Sequence, residues 1–401
     1  MNFPLYIARR YLRSKSRNNA INIITLIATL GVIVSTIALF VVLSVFSGLK
    51  DFSLSFIRTS DPDLKITSLK GKSFHYNDSI RKALALAKVQ SYTKVVEERV
   101  FLNYGEKSHV ASIKGVDSNY LAVNRMDTAV YFGNWVNYDA KYTVVVGSAI
   151  SSQLSIGSYD FLETLKMYVP KPGKGYITNP KSAFRQLGVQ TIGIYRLTDD
   201  IDKKFVYGNL AMAQELLNYE KNQISAIEVK LPEDAELSEV QLFLQNQLGD
   251  GFEVRSREQL NAVFYRMLNT ENLVSYLVFT LILIISLFNV VGAIVMMIID
   301  KRDNLKTLFH LGLTMREVRR IFVFQGFLLC LFGLAVGLLL SIPFVLLQKK
   351  FGLIMITRSL AYPVEFLWTN VLVVILTIIV LGYLSAKTAS ARISLRFLQN
   401  S

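Results

Sequence analysis

The residues able to do bond-making chemistry are few and scattered. Gly71-Lys72-Ser73 could close a phosphate-binding loop, but the glycine required five residues upstream is replaced by Ile66. Val146-Gly147-Ser148-Ala149-Ile150 could present a nucleophilic serine, yet a strand-to-helix elbow needs a second glycine where Ile150 stands. His75, His109 and His310 are far apart and lack the H-E-x-x-H or C-x-x-C company that holds a metal ion. The sequence therefore points to no catalytic residue, no metal site and no cofactor on this chain. The single cysteine, Cys330, leaves no intrachain disulfide to form.

The most informative segment, 299–325, is built for contact instead. Asp303 can cap a helix, Leu305, Leu308 and Phe309 fall on one helical face, and Gly312 stands where a C′ glycine would end it. Thr314 and Glu317 then read as a capping box opening the next helix. A short capped helix between two apolar stretches offers a rigid knob to a partner.

Stretches without Asp, Glu, Lys or Arg occupy 18–49, 272–299, 321–348 and 366–386. Each meets the ~20 residues a helix needs to cross ~30 Å of hydrocarbon. The whole chain is 52% hydrophobic with mean hydropathy +0.36, too apolar for an ordinary soluble protein. The first stretch is far longer than a signal-peptide core and is expected to stay in the membrane. The net charge of +14 is concentrated beside these stretches. Arg9, Arg10, Arg13, Lys15 and Arg17 precede the first. Lys301, Arg302, Lys306, Arg316, Arg319 and Arg320 sit between the second and third, and Lys387, Arg392 and Arg396 follow the fourth. Segment 50–270 is nearly neutral. This is the positive-inside pattern, and it argues for a membrane partner and against nucleic acid. It places both termini in the cytoplasm and 50–270 outside, with Lys349, Lys350 and Arg358 as a minor dissent.

The fold class expected is an α-helical membrane protein with four transmembrane helices plus a large α+β extracytoplasmic domain between spans 1 and 2. Its divisions are an interfacial amphipathic helix (1–17), the first span (18–49), the outer domain (50–270), the second span (271–300) and a cytoplasmic loop (301–316). The third span (317–348), a short outer loop (349–365), the fourth span (366–386) and a tail (387–401) complete it. Within the domain, strand patterns fall at 99–103, 109–116, 142–146, 165–169, 190–195 and 226–231, and helix patterns at 79–89, 211–219 and 238–248. The Pro- and Gly-rich stretch 170–180 reads as a protruding loop or hairpin. No Pro or Gly intervenes between Ser256 and Gly292, so one helix is expected from 257 to 299, about 65 Å long. The spans lack ionisable residues at depth, which argues against an ion-driven pump. Asn289 is expected to bond across helices, and Gly333-x-x-x-Gly337 to permit close packing.

Several motifs together resemble the FtsX/MacB-type permeases of ABC transporters, most closely the LolC/LolE lipoprotein-releasing branch. They are Ala8-Arg9-Arg10-Tyr11-Leu12-Arg13-Ser14, Ile27-Ala28-Thr29-Leu30-Gly31, the span end 41–48, Ser286-Leu287-Phe288-Asn289-Val290, and Met296 to Lys301. Leu311-Gly312-Leu313-Thr314 with Ile321-Phe322-Val323-Phe324-Gln325-Gly326 is the most specific; Tyr362-Pro363-Val364 and 385–392 also fit. The resemblance covers nearly the whole chain. It implies a non-catalytic subunit paired with a second permease copy or paralogue and driven by a LolD-like ATPase subunit that holds ATP and Mg. The cargo would be lipoprotein, extracted from the outer leaflet of the bacterial inner membrane and passed to a LolA-like periplasmic chaperone. The helix in 301–316 would be the coupling helix, with contacts from Arg302, Leu305, Lys306, Leu308, Phe309, Leu311, Gly312 and Arg316. Acyl chains would lie against Leu43, Phe46, Ser47, Phe264, Leu268 and Leu273. Chaperone docking would fall to Pro170, Lys171, Pro172, Tyr176, Pro180, Phe184 and Arg185, although this loop departs from the family's hook sequence.

Two other functions fit the same architecture. One is FtsX-like mechanotransmission to a periplasmic partner such as a cell-wall hydrolase. The other is MacB-like export of another substrate, which is disfavoured because MacB carries its ATPase on the same chain.

Overall fold

The structure, a computed structural model, describes residues 3–13, 19–157, 163–171, 183–357 and 360–391. It divides into two compact units, Met1–Ser53 with Arg266–Ser401, and Leu54–Tyr265.

Among the described residues, four helices are long and apolar enough to cross a membrane: Asn19–Ser60, Ala262–Asp300, Met315–Phe351 and Trp368–Ala391, here the first to fourth spans. In hydrocarbon only a helix satisfies every backbone N–H and C=O within its own segment. Hydrophobicity does not drive such helices together, so their approach depends on small residues. Gly333 and Gly337 do this on the third span. A Cβ on Gly337 would stand 2.6 Å from the Thr36 Cβ of the first span, and one on Gly333 2.7 Å from Val32. Gly31 meets Ser286 of the second span, and Gly382 of the fourth meets Cys330 of the third. Val32, Leu39 and Phe40, Leu283, Leu287 and Val290, Phe322 and Leu329, and Val374 and Ile378 form the shared core. Tyr276 and Thr377 join their hydroxyls at 2.9 Å between the second and fourth spans. Asn289 corrects an expectation: it lies exposed, with no hydrogen bond to another span among the described residues. Gly292 beside it is exposed too, with open space where a Cβ would stand. At the other end of the third span, Gln348 ties down the following loop. Its amide donates to the Ile354 and Tyr362 carbonyls at 2.9 and 3.2 Å and accepts from Ile354 N–H at 2.8 Å.

The second unit is a mixed α+β domain. Its strands are β1 (Leu64–Ser68), β2 (Phe74–His75), β3 (Ser91–Tyr104), β4 (Lys107–Val116), β5 (Val130–Gly133), β6 (Thr143–Gly147), β7 (Leu165–Pro170), β8 (Phe184–Tyr195), β9 (Phe205–Asn209), β10 (Gln223–Ile224), β11 (Ala226–Lys230) and β12 (Phe252–Ser256). The main sheet runs β12-β1-β11-β3-β4-β9-β6-β8-β5, and β7 pairs with both β3 and β8. The long strands β3 and β8 thereby close the ring β3-β4-β9-β6-β8-β7, which leaves those strands no free edge. Pairing is antiparallel except for β4 with β9 and β6 with β8. Strand β7 alternates, with Leu165, Met167 and Val169 buried. The second half of β4 is buried throughout, because helix Leu210–Leu217 covers it: a Cβ on Gly115 would lie 2.2 Å from that of Ala213. Asn77, Thr198 and Asn209 cap the helices Asp78–Leu86, Asp199–Lys204 and Leu210–Leu217 by accepting backbone N–H bonds.

One buried ion pair sits among aromatic rings. Lys114 meets Glu228 at 2.8 Å and lies over Tyr120, Phe205 and Tyr207. Tyr120 stacks on Trp135, and Asn124 donates to the other Glu228 oxygen. Burial is the largest single influence on the Lys114 ammonium and would push it down, but Glu228, Tyr207 and Glu97 together outweigh it and hold the amine well above its usual range. Burial would raise Glu97, but Lys65 and Lys114 leave it below the usual carboxylate range.

The single helix expected from 257 to 299 is broken. Ser256 and Gln259 form a capping box over Arg257–Leu260, and Asn261 then leaves helical geometry at φ −113°, ψ 30°. Its amide donates to Asp61 Oδ2 at 2.6 Å and to the Arg257 carbonyl at 3.1 Å, a side-chain alternative to continuing the turn. The unbroken part, Ala262–Asp300, has 39 residues and is about 58 Å long.

Two outcomes follow. Gly337→Leu should cost about 1–3 kcal/mol by overpacking against Thr36, read as a lower thermal midpoint of the purified chain in detergent, while Gly292→Leu should not. Lys114→Ala should cost about 3–5 kcal/mol by stranding Glu228, read by Trp135 fluorescence in urea. The Lys114 contribution is fully present below the usual lysine pKa and is lost as pH rises through its raised folded value. That of Glu97 is present above about pH 4.3 and lost as pH falls through its lowered one. The urea midpoint should therefore stay level near neutrality and fall at both extremes.

Candidate functional site: a groove between two spans and a capped loop helix

The loop between the second and third spans holds a helix, Arg302–His310. It begins one residue before Asp303, and its N-cap, Lys301, makes no side-chain capping bond; Asp303 lies in the first turn instead. Its end is a Schellman motif. Gly312, at φ +98°, donates to the Phe309 carbonyl at 3.0 Å, and Leu313 to that of Leu308 at 3.2 Å. Thr314 and Glu317 complete a reciprocal capping box for the third span. A short helix fixed by its caps at the C-terminal end results.

The face it offers differs from the one its amphipathic pattern suggests. Leu305 is fully buried, and Leu308 and Phe309 pack half-buried on the same core. These three bind the helix to its own chain, because an apolar stripe beside an apolar core buries itself there first. The exposed face carries Asp303, Asn304, Thr307, His310 and Leu311, the last 75% exposed, followed by Gly312 and Arg316. Arg302 and Lys306 are half-buried. The N-terminal helix Phe3–Arg13 packs on the third span, and Tyr11 hydrogen-bonds Asn304. Burial outweighs that bond and the nearby Arg10 and pushes the Tyr11 phenol up.

Higher on the first two spans, a groove of about 610 Å³ is lined by Phe46, Met267, Thr270, Glu271, Val274 and Ser275. The last five stand at i, i+3, i+4, i+7 and i+8, one continuous helical face. Of the residues expected to receive acyl chains, only Phe46 lines it. Leu268 and Leu273 are neighbours of lining residues but one position out of phase, about 100° around the helix. Leu268 is buried and Leu273 points outward. Leu43 is in the packed core, and Ser47 accepts a 2.9 Å bond from the Asn370 amide of the fourth span. Phe264 is half-buried in the other unit. The helical spacing of 267–275 could have set the phase from sequence, but Glu271 and Thr270 masked the stripe by being polar.

The stretch expected to dock a chaperone joins β7 to β8. Pro170 pairs with Phe184, and Lys171 N–H donates to the Ala183 carbonyl at 2.8 Å, so the two strands form a hairpin. Phe184 is exposed at its end, while Arg185 donates to the Leu217 carbonyl at 2.7 Å and braces the hairpin. Pro172, Tyr176 and Pro180 lie outside the described residues. Among the described residues no cluster of His, Cys, Asp or Glu could hold a metal ion.

Comparison with known proteins gives this architecture its class. The family model for the MacB-like periplasmic core domain matches residues 25–244, over half of the chain, and that for the FtsX-like permease C-terminal region matches 276–394. The chain belongs to the FtsX/MacB-type permease family. It is 23% identical to the lipoprotein-releasing system transmembrane protein LolE of Haemophilus influenzae, covering 98% of this chain and 97% of that one. It is 22% identical to LolC of Buchnera aphidicola subsp. Schizaphis graminum, covering 95% and 94%. The crystal structure of the periplasmic region of MacB from Actinobacillus actinomycetemcomitans aligns with 50% of this chain and 92% of that one, at 16% identity and a TM-score of 0.34.

The two faces of the loop helix separate by mutation. Leu305→Asp should unseat the helix and lower the thermal midpoint, with a loss of about 3 kcal/mol or more for an unpaired buried charge. Leu311→Asp should leave the midpoint within about 0.5 kcal/mol of the parent.

Proposed function

We propose that this chain is the permease subunit of an ABC transporter that extracts lipoproteins from the outer leaflet of the inner membrane. The observation that carries the reading is the groove of Phe46, Met267 and Val274, in a chain similar over nearly its whole length to proteins named for lipoprotein release. An acyl chain needs an apolar wall out of water, which Phe46, Met267 and Val274 supply. Thr270, Glu271 and Ser275 beside them suit the ester and amide groups where acyl chains join a lipidated cysteine.

By the positive-inside pattern of the flanking charges, the groove would lie on the extracytoplasmic side and the loop helix in the cytoplasm. There the exposed face from Asp303 to Leu311, with Arg316, would seat in a separate ATPase subunit that holds ATP and Mg. Closure of that partner would push the helix, and the Schellman and capping-box ends keep the push from dissipating in the loop. A second permease copy or paralogue would cover the exposed Asn289 and Gly292, since a polar residue facing lipid is costly and a glycine admits a close neighbour. The β7–β8 hairpin, stiffened by Arg185, would meet the periplasmic chaperone that accepts the cargo.

The phase of the groove gives the test. Val274→Trp fills it, whereas Leu273→Trp adds the same bulk one position away. With complex assembly and ATPase binding unchanged, Val274→Trp should slow ATP-dependent release of a triacylated lipoprotein about tenfold and Leu273→Trp should not. Equal effects would overturn the assignment of the groove.

A further inference from the structure

A second and larger cavity, about 970 Å³, opens at the opposite end of the spans from the first groove. It lies between the N-terminal helix, the start of the first span, the end of the second and the third span. Its walls have two characters. Leu26, Leu328, Leu331 and Phe332 make an apolar slot, whose rim residues Leu26 and Phe332 are 59% and 60% exposed. Arg9, Asn19, Asn22, Asp300, Lys301 and Gln325 make a polar end. Lys301 pairs with Asp300 at 2.9 Å, so these two cancel and, among the described residues, Arg9 leaves the lining one net positive charge. Gln325 is only 2% exposed. Its amide N–H group lies 2.9 Å from the Met297 sulfur, and its buried carbonyl oxygen has no hydrogen-bond partner among the described residues. A buried amide oxygen without a partner is costly, and a rotation of the Gln325 amide that turns the oxygen to the cavity would let a ligand donor relieve that cost.

From this geometry we infer that the cavity is a binding site for one anionic phospholipid of the adjacent leaflet, its phosphate at Arg9 and one acyl chain in the slot of Leu26, Leu328, Leu331 and Phe332. The volume is at the upper end for a small-molecule site, as an acyl chain with its headgroup requires. Basic pockets between spans on the cytoplasmic side hold anionic headgroups by the same means. A glycerol headgroup also carries the hydroxyl donors that the Gln325 oxygen lacks. Tyr11 lines the cavity and bonds Asn304 of the loop helix, so the bound lipid would wedge the N-terminal helix against the element that meets the ATPase. The site is distinct from the cargo groove and does not depend on what the cargo is.

The test is lipid retention by the full chain. It would be extracted from nanodiscs of equal parts phosphatidylglycerol and phosphatidylcholine and examined by native mass spectrometry. One phosphatidylglycerol per chain should persist, favoured about fivefold over phosphatidylcholine, the ratio expected from one basic residue worth about 1 kcal/mol. Arg9→Ala should abolish the preference. Arg10→Ala, on the same helix but outside the cavity, should keep it. Thr29 also lines the cavity, one helical turn from Leu26, and Thr29→Trp, which fills that space without altering charge, should remove the retained lipid altogether. Equal loss from Arg9→Ala and Arg10→Ala would mean diffuse surface attraction and overturn the inference, as would undiminished retention by Thr29→Trp.

Discussion

Close approach of the spans at glycine is the constraint on which the membrane unit depends. Apolar side chains gain nothing from leaving lipid for one another, so the four helices hold together only where backbones come near enough for dense dispersion contact. Gly333 and Gly337 against Val32 and Thr36, Gly31 against Ser286, and Gly382 against Cys330 provide those points. They fix the rotation of each helix, and rotation decides which residues face core, lipid or groove. The stripe from Met267 to Ser275 opens beside Phe46 because the first and second spans are locked in that phase. Leu305 is buried for the same reason: the ends of the second and third spans are held close enough to receive it.

The domain between the first and second spans is stabilised differently. Its ring of strands closes through β7, and its aromatic cluster surrounds a lysine–glutamate pair that burial makes obligatory on both sides. Breaking such a pair is far worse than never having had it. Lys114 thus marks a position where the register of β4 against β3, and of β3 against β11, cannot slip without leaving a charge unmatched.

Much of this was legible in the sequence. The four charge-free stretches, the capping box at Thr314 and the cap at Gly312 follow from local chemistry, and the helix patterns near 79–89, 211–219 and 238–248 lie within three residues of the helices formed. Strands with clear apolar runs, such as β4 and β8, were also visible. The short strands β6, β7 and β11 were visible as well, but β9, Phe205–Asn209, was not, because it takes its buried character from its neighbours rather than from its own five residues. Contacts that depend on helix phase were equally hidden. Nothing local distinguishes Leu273 from Val274, and nothing says that the apolar face of Arg302–His310 turns inward. The break at Asn261 was hidden too, because its cause is Asp61, 200 positions away.

In the proposed function, hydrolysis on a separate subunit moves a lipid-anchored cargo through this chain. Reconstitution tests it most directly. The chain and its co-purifying ATPase would be placed in proteoliposomes holding a triacylated lipoprotein, with a periplasmic acceptor chaperone added outside. Soluble lipoprotein that accumulates with ATP and not with a non-hydrolysable analogue is the predicted result. Sustained ATP hydrolysis with the lipoprotein still in the membrane would contradict the account and point to transmission of force to another periplasmic partner.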